Sequence, residues 1–279
     1  MTGQFNRVDV TVLPVGWTNI DAGSFPSEVS GSWSPALSPD GRHAAYISDR
    51  SGRPQVWVQP VGSDLTFLVD TGEAPVAHVQ WSTGGGWLAC LVAPGGAPRH
   101  ESWLVRPDGS ELHQVAGFGA DTADNMRWLP GRSLLALTEN LTTALLVDPV
   151  SGVRTELATG ELISLLDVSP DGSRALLRVG PRGGRHVAVR DLSTGVDEYV
   201  TAGEQAVFGP DGRTVFARSE SGEFPVLIRV VDGAVDVLAG SGTAEVESFT
   251  VTADGRSVAV LWNVRGGESE IEVLDLASG

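Results

Sequence analysis

The chain has 279 residues, 41% of them hydrophobic and 19% charged, a balance that supports a packed core rather than disorder. Its 19 basic residues, all arginine, face 35 acidic ones, and a formal net charge of −16 argues against duplex DNA and anionic membranes as partners. A single cysteine, Cys90, rules out an intramolecular disulfide, and no apolar run approaches the ~20 residues of a membrane-crossing helix.

Residues 1–31 come before any repeat. The first seven lack the apolar core of a signal peptide, so a cytoplasmic location is the expectation. Residues 8–13 (Val-Asp-Val-Thr-Val-Leu) alternate apolar and polar, as a half-buried strand does, and a loop rich in Gly, Ser, Asn and Pro follows over 16–32. Then comes Leu37-Ser38-Pro39-Asp40-Gly41-Arg42, a phrase that returns five times. The copies at 168–173, 208–213 and 251–256 are close; those at 81–86 and 128–132 are degraded. The aligned glycines are 41, 85, 131, 172, 212 and 255, in steps of 40 to 46 residues. Self-similarity at that period marks a radial array with one small sheet per repeat.

Each copy reads as strand, tight turn, strand, because proline presets φ, Asp bonds nearby backbone and Gly takes the left-handed conformation. β-rich runs follow at 43–48, 87–93, 133–138, 174–179, 214–218 and 257–262. Third runs lie at 55–61, 101–106, 143–148, 186–192, 225–231 and 270–276, and a short outer run such as 66–69 or 155–158 ends the unit. Helical periodicity is scarce. The expected fold is therefore all-β: a single β-propeller domain over 1–279, with six recognisable four-stranded blades starting near 32, 77, 123, 163, 204 and 246. The sixth repeat stops after its third strand, so the strand at 8–13 is expected to supply its outer strand and close the ring, removing an exposed edge. Truncation, with a further blade beyond Gly279, is the competing reading.

Strand pairing sorts the loops onto two faces. The Ser-Pro-Asp-Gly turns share one face with the turns between third and fourth strands. The loops between second and third strands share the other with the blade-to-blade connections. That second, loop-rich face carries Arg50, Arg53, Arg99, His100, Arg182, Arg185, His186 and Arg265, of which the arginines and His100 are candidate binding residues for a peptide carboxylate or another domain. Near the start of the innermost strands stand Trp33, Ala77, Asp124, Ser164, Glu204 and Glu247. His78, Asp124, Asn125, Glu204, Gln205, Glu245 and Glu247 are thus the polar candidates for the channel mouth. Two residues further on, Pro35, Val79, Met126, Leu166, Ala206 and Phe249 are apolar throughout and are expected to form the core between blades, as are Trp57 and Trp103 on matching third strands. No His or Glu recurs at one aligned position and the five histidines lack zinc spacing, so no metal is assigned. The glycine pairs at 95–96 and 183–184 have no following helix, so no nucleotide or other cofactor is assigned.

These repeats resemble the TolB-like, WD40-like propeller repeats over residues 32–279. Residues 45–58 (Ala-Tyr-Ile-Ser-Asp-Arg-Ser-Gly-Arg-Pro-Gln-Val-Trp-Val) and 102–112 (Ser-Trp-Leu-Val-Arg-Pro-Asp-Gly-Ser-Glu-Leu) look like blades of the N-terminal propeller of prolyl oligopeptidase family serine peptidases. In that family the propeller sits over an α/β-hydrolase domain and restricts entry to short peptides. The chain departs from the family at the catalytic elbow: it contains no Gly-x-Ser-x-Gly, and Gly240-Ser241-Gly242 lacks the spacing. No catalytic residue is therefore assigned. The resemblance implies a non-catalytic gating or interaction propeller whose partner is a protein or peptide, such as an α/β-hydrolase domain or chain. A free-standing TolB-like scaffold is the alternative, and a propeller enzyme with a metal in its central channel ranks third.

Overall fold

The computed structural model describes residues 30–96, 98–129, 131–265 and 267–276. These form six antiparallel sheets, each a meander in sequence order. Blade one holds β1 (Ser32–Leu37), β2 (His43–Ser48), β3 (Gln55–Pro60) and β4 (Phe67–Val69). Blade two holds β5 (Val76–Trp81), β6 (Leu88–Val92), β7 (Glu101–Val105) and β8 (His113–Ala116). Blade three runs through β9 (Ala123–Trp128), β10 (Leu135–Glu139), β11 (Thr143–Val147) and β12 (Arg154–Thr159). Blade four has β13 (Ile163–Val168), β14 (Arg174–Val179), β15 (His186–Asp191) and β16 (Asp197–Ala202). Blade five has β17 (Gln205–Phe208), β18 (Val215–Ser219), β19 (Val226–Val231) and β20 (Ala234–Ala239). Blade six comprises β21 (Glu245–Val251), β22 (Ser257–Arg265) and β23 (Glu268–Asp275), three strands among the described residues. The fold is a six-bladed β-propeller. The closing strand expected at 8–13 lies outside the described residues.

The recurring turn explains its own sequence. Ser38 Oγ donates to Asp40 Oδ1 (2.6 Å), Arg42 N–H donates to the same oxygen (3.0 Å), and His43 N–H donates to Ser38 Oγ (2.9 Å). One hydroxyl and one carboxylate thus satisfy the backbone that the turn leaves unpaired. Ser169 with Asp171, and Thr252 with Asp254, repeat the clasp. In blade two the aspartate is gone, yet Ser82 Oγ still accepts from Trp87 N–H at 2.9 Å. Where Gly209 replaces the serine, Asp211 turns to Thr214 instead. Gly212 and Gly255 have φ of +65° and +69°, and a Cβ on either would press on a proline of the preceding blade's turn, Pro170 at 3.2 Å and Pro210 at 2.7 Å. The Pro-Asp-Gly phrase therefore shapes its own turn and also seats the next one.

Core lies between blades. Strand alternation sends Leu135 and Leu137 toward blade two and Ala136 toward blade four. Each of the five junctions between successive blades holds such a buried cluster. Between blade six and blade one the described residues form none. There Ile271 and Val273 are 60% and 57% exposed on β23, and Leu37 is 66% exposed on β1. This accounts for two departures from the expected core. Val79, Met126, Ala206 and Phe249 are buried, and Leu166 half-buried, but Pro35 is exposed because it belongs to the blade with no packed predecessor. Trp103 packs into the cluster between blades one and two, whereas its counterpart Trp57 is covered by the Arg50 guanidinium, 4.8 Å above its ring.

Candidate functional site

The innermost strands line the axis, and all but β17 carry a bulge or register shift where they pair outward. A bulge re-aims side chains. Ser34 and Asn125, with φ of +54° and +48°, sit in two of them.

At the loop-rich end of the channel, blades three, four and five bring charged side chains together. Arg178, six residues past the blade-four turn glycine, donates from Nη2 to Ser164 Oγ (2.7 Å) and places Nη1 3.6 Å from Glu204 Oε2. Arg185, from the β14–β15 loop, donates to the same Glu204 oxygen at 2.8 Å. Burial, and then the neighbouring charge of Arg185, lower the pKa of Arg178, while Glu204 and Asp124 oppose the shift. Two guanidinium groups thus share one carboxylate that is itself 41% exposed. A carboxylate-bearing ligand could replace Glu204 as their partner, since planar guanidinium groups bind carboxylates by paired hydrogen bonds. The sequence reading found Asp124, Glu204 and Arg185 but missed Arg178 and Ser164 as partners.

The other channel candidates have separate occupations. His78 meets Ser34 Oγ through Nδ1 and Gln80 Nε2 through its own Nε2, both at 3.0 Å. Gln205 donates to Phe249 O (2.9 Å), Asn125 N–H donates to Asp124 Oδ1, Glu245 accepts from Asn263 Nδ2 (2.9 Å), and Glu247 is exposed. On the loop face Arg53 pairs with Glu73 (3.2 Å) and Arg99 with Glu101 (2.5 Å), Arg99 also donating to the carbonyls of Gly117 and Asp121. His100 N–H donates to Thr122 Oγ1 (3.0 Å) and Arg50 stacks on Tyr46 and Trp57. These groups tie loops to their own or the next blade. Arg182 is exposed on the β14–β15 loop, and the backbone of Arg265 ends β22, paired with Glu268.

Near the turn-bearing end, Arg127 Nε lies 2.7 Å from Asp167 Oδ1, and Asp167 also accepts from Val168 N–H (2.9 Å) and Phe208 N–H (2.8 Å). One carboxylate therefore links blades three, four and five beside a channel pocket of about 450 Å³. Burial raises the Asp167 pKa, outweighing Arg127 and the two amides. Neither residue was singled out from the sequence.

Ser34 and His78 form a serine–histidine contact, and the other ring nitrogen of His78 is occupied by the Gln80 amide. Cys90 is fully buried, its thiol pushed up to about 12. Among the described residues no three His, Cys, Asp or Glu side chains converge to hold a metal ion.

No family model matches this sequence, and neither does any curated protein. Solved structures do. TolB from Acinetobacter baumannii aligns over 76% of this chain and 56% of its own length, with 18% identity and a TM-score of 0.55. The acylaminoacyl peptidase of Pyrococcus horikoshii aligns over 88% of this chain and 45% of its own, with 15% identity and a TM-score of 0.64. The β-propeller domain of the Trilobed protease from Pyrococcus furiosus, described as having an open velcro topology, aligns over 88% and 81% at 14% identity and a TM-score of 0.63. The likeness is one of fold. This chain spans about half the length of TolB and of the peptidase.

Proposed function

We propose that this chain is a non-catalytic propeller that binds a protein or peptide at its loop-rich face and, in doing so, governs access to a neighbouring active site. The observation that carries the reading is the channel mouth, where Arg178 and Arg185 are held on one exposed carboxylate and so stand ready to exchange it for a ligand's. The fold likeness supports the gating version, since less than half of the peptidase is matched while most of an isolated protease propeller is. On this reading the active site belongs to an α/β-hydrolase domain or chain. A free-standing scaffold of the TolB kind is the second reading, favoured by the likeness to TolB itself.

Affinity capture with this chain as bait, beside a peptidase assay on the same preparation, tests both. Recovery of an α/β-hydrolase, with the Arg178→Ala variant changing which peptide lengths are cleaved, supports gating. Recovery of other proteins through the same face supports the scaffold. Peptide hydrolysis by the pure chain alone overturns both.

A further inference from the structure

The turn-bearing face holds a second feature, far along the fold from the channel mouth. Blades one and two enclose an open cleft of about 860 Å³ there, within the ~300–1,000 Å³ usual for ligand sites. Its making is local. The degraded turn of blade two puts Thr83 and Gly84 where the intact repeats carry Pro and Asp, with Gly85 and Gly86 after them, so the wall this turn forms carries no carboxylate. Across from it, the outer strand of blade one begins Phe67-Leu68, while the matching strands begin His113-Gln114, Arg154-Thr155, Asp197-Glu198 and Ala234-Val235 in blades two to five, so blade one alone puts an aromatic there. Phe67 and Leu68 are 56% and 46% exposed. Both side chains line the cleft with that exposed surface. The floor is aromatic: Trp81 lies against His43, ring centroids 6.5 Å apart, anchored by its Nε1 donating to Ala36 O (3.0 Å).

The rim is acidic. Asp40, from blade one, and Asp108, from blade two, are exposed, each held below the usual carboxylate range by a serine hydroxyl and a backbone amide. Arg106, half-buried on blade two, donates to Glu111 and the Gly86 carbonyl and lies over the face of Trp87, and its charge also helps to lower Asp108. Arg42 reaches Asp40 only at 4.0 Å and is 81% exposed. A concave apolar floor with two exposed turn aspartates at its rim, on a chain of net charge −16, complements one kind of surface.

We propose that this cleft docks an extended segment of a partner protein bearing an apolar side chain flanked by arginine or lysine. The apolar group enters against Phe67, Leu68 and Trp81, and the flanking cations meet Asp40 and Asp108. The inference rests on the reading of the ring as a binding domain and adds a second contact surface, on the opposite face, with its own chemistry.

Fluorescence anisotropy with the full chain tests it, using a labelled Gly-Arg-Leu-Arg-Phe-Arg-Gly probe, a twin with glutamate for arginine, and a twin with serine for leucine and phenylalanine. Phe67→Ser should weaken the arginine probe about tenfold, and Asp40→Asn combined with Asp108→Asn about fivefold, the latter effect fading at high salt. Asparagine keeps the turn-capping oxygen, and unchanged melting curves confirm that neither variant disturbs the blade. The serine and glutamate twins should bind about tenfold more weakly than the arginine probe. Equal binding of the arginine and glutamate probes, affinities within twofold in both variants, or no binding of any probe overturns the cleft. If binding is lost in Arg178→Ala but kept in Phe67→Ser, the cleft is wrong while the ring is still a binding domain.

Discussion

Two junctions of the same ring show what holds a propeller together. Between blades two and three, Leu104, Leu135, Leu137 and Ala123 are wholly buried, and facing strands interdigitate. Between blades six and one, the alternation that buries Val258 and Val260 toward blade five turns Ile271 and Val273 outward, and among the described residues Arg50, not a neighbouring sheet, covers Tyr46 and Trp57 of blade one. The strand patterns are alike; the environment differs. Apolar periodicity creates a face, and only the next repeat decides whether that face becomes core.

The largest expected effect separates the junctions directly. Leu135→Ala should cost about 2–5 kcal/mol, because a fully buried leucine leaves a cavity, while Val273→Ala should stay within about 0.5 kcal/mol. Urea midpoints measure both, and equal losses would mean that Val273 lies in a packed junction after all. Next come the turn glycines. Gly41→Ala and Gly255→Ala both force alanine to positive φ, at about 1 kcal/mol. Only Gly255 also meets a proline at 2.7 Å, whereas nothing lies within 4 Å of Gly41, so Gly255→Ala should lose about 1–2 kcal/mol more. Adding Pro210→Ala to Gly255→Ala should return much of that excess in a double-mutant cycle.

Acid comes third. Serine and threonine hydroxyls and backbone amides lower Asp171 and Asp191 to about 2 from the ordinary 3.8. Because the folded value is the lower one, their stabilisation is present above pH ~4 and is lost as pH falls from ~4 toward ~2. Asp171→Asn should flatten the fall in melting temperature over that window, and an unchanged slope would remove the turn from the account. The smallest effect is a null: Cys90 should not react with a thiol reagent in the native protein at pH 8, and should titrate as one thiol on unfolding.

Much of this was legible in the sequence because Ser-Pro-Asp-Gly specifies its own geometry. Each hydroxyl, carboxylate and glycine in it has a local job that no distant contact overrides, so blades and faces follow from spacing alone. Glu204 and Arg185 were legible for a similar reason, as charges beside a strand start. Arg178 was not, since it sits inside an aliphatic strand. The available signal was its recurrence: Arg218 stands at the same distance from Gly212 as Arg178 from Gly172, and its Nε reaches across to Val246 O at 2.6 Å. Arg127 and Asp167 share an aligned position in adjacent blades with opposite charge. Period-2 patterning shows which way a residue points but not what faces it. For the same reason it placed Trp57 in a junction that the described residues do not fill.

The meander leaves its mark on the order of coming apart. Among the described residues packed clusters join each blade to the next from blade one to blade six, and at the axis one carboxylate, Asp167, spans blades three, four and five. A row of units bonded to nearest neighbours melts inward from its ends. Amide protons in β10 and β14 should therefore be the last to exchange with solvent, and those of β2 and β22 the first among the central strands.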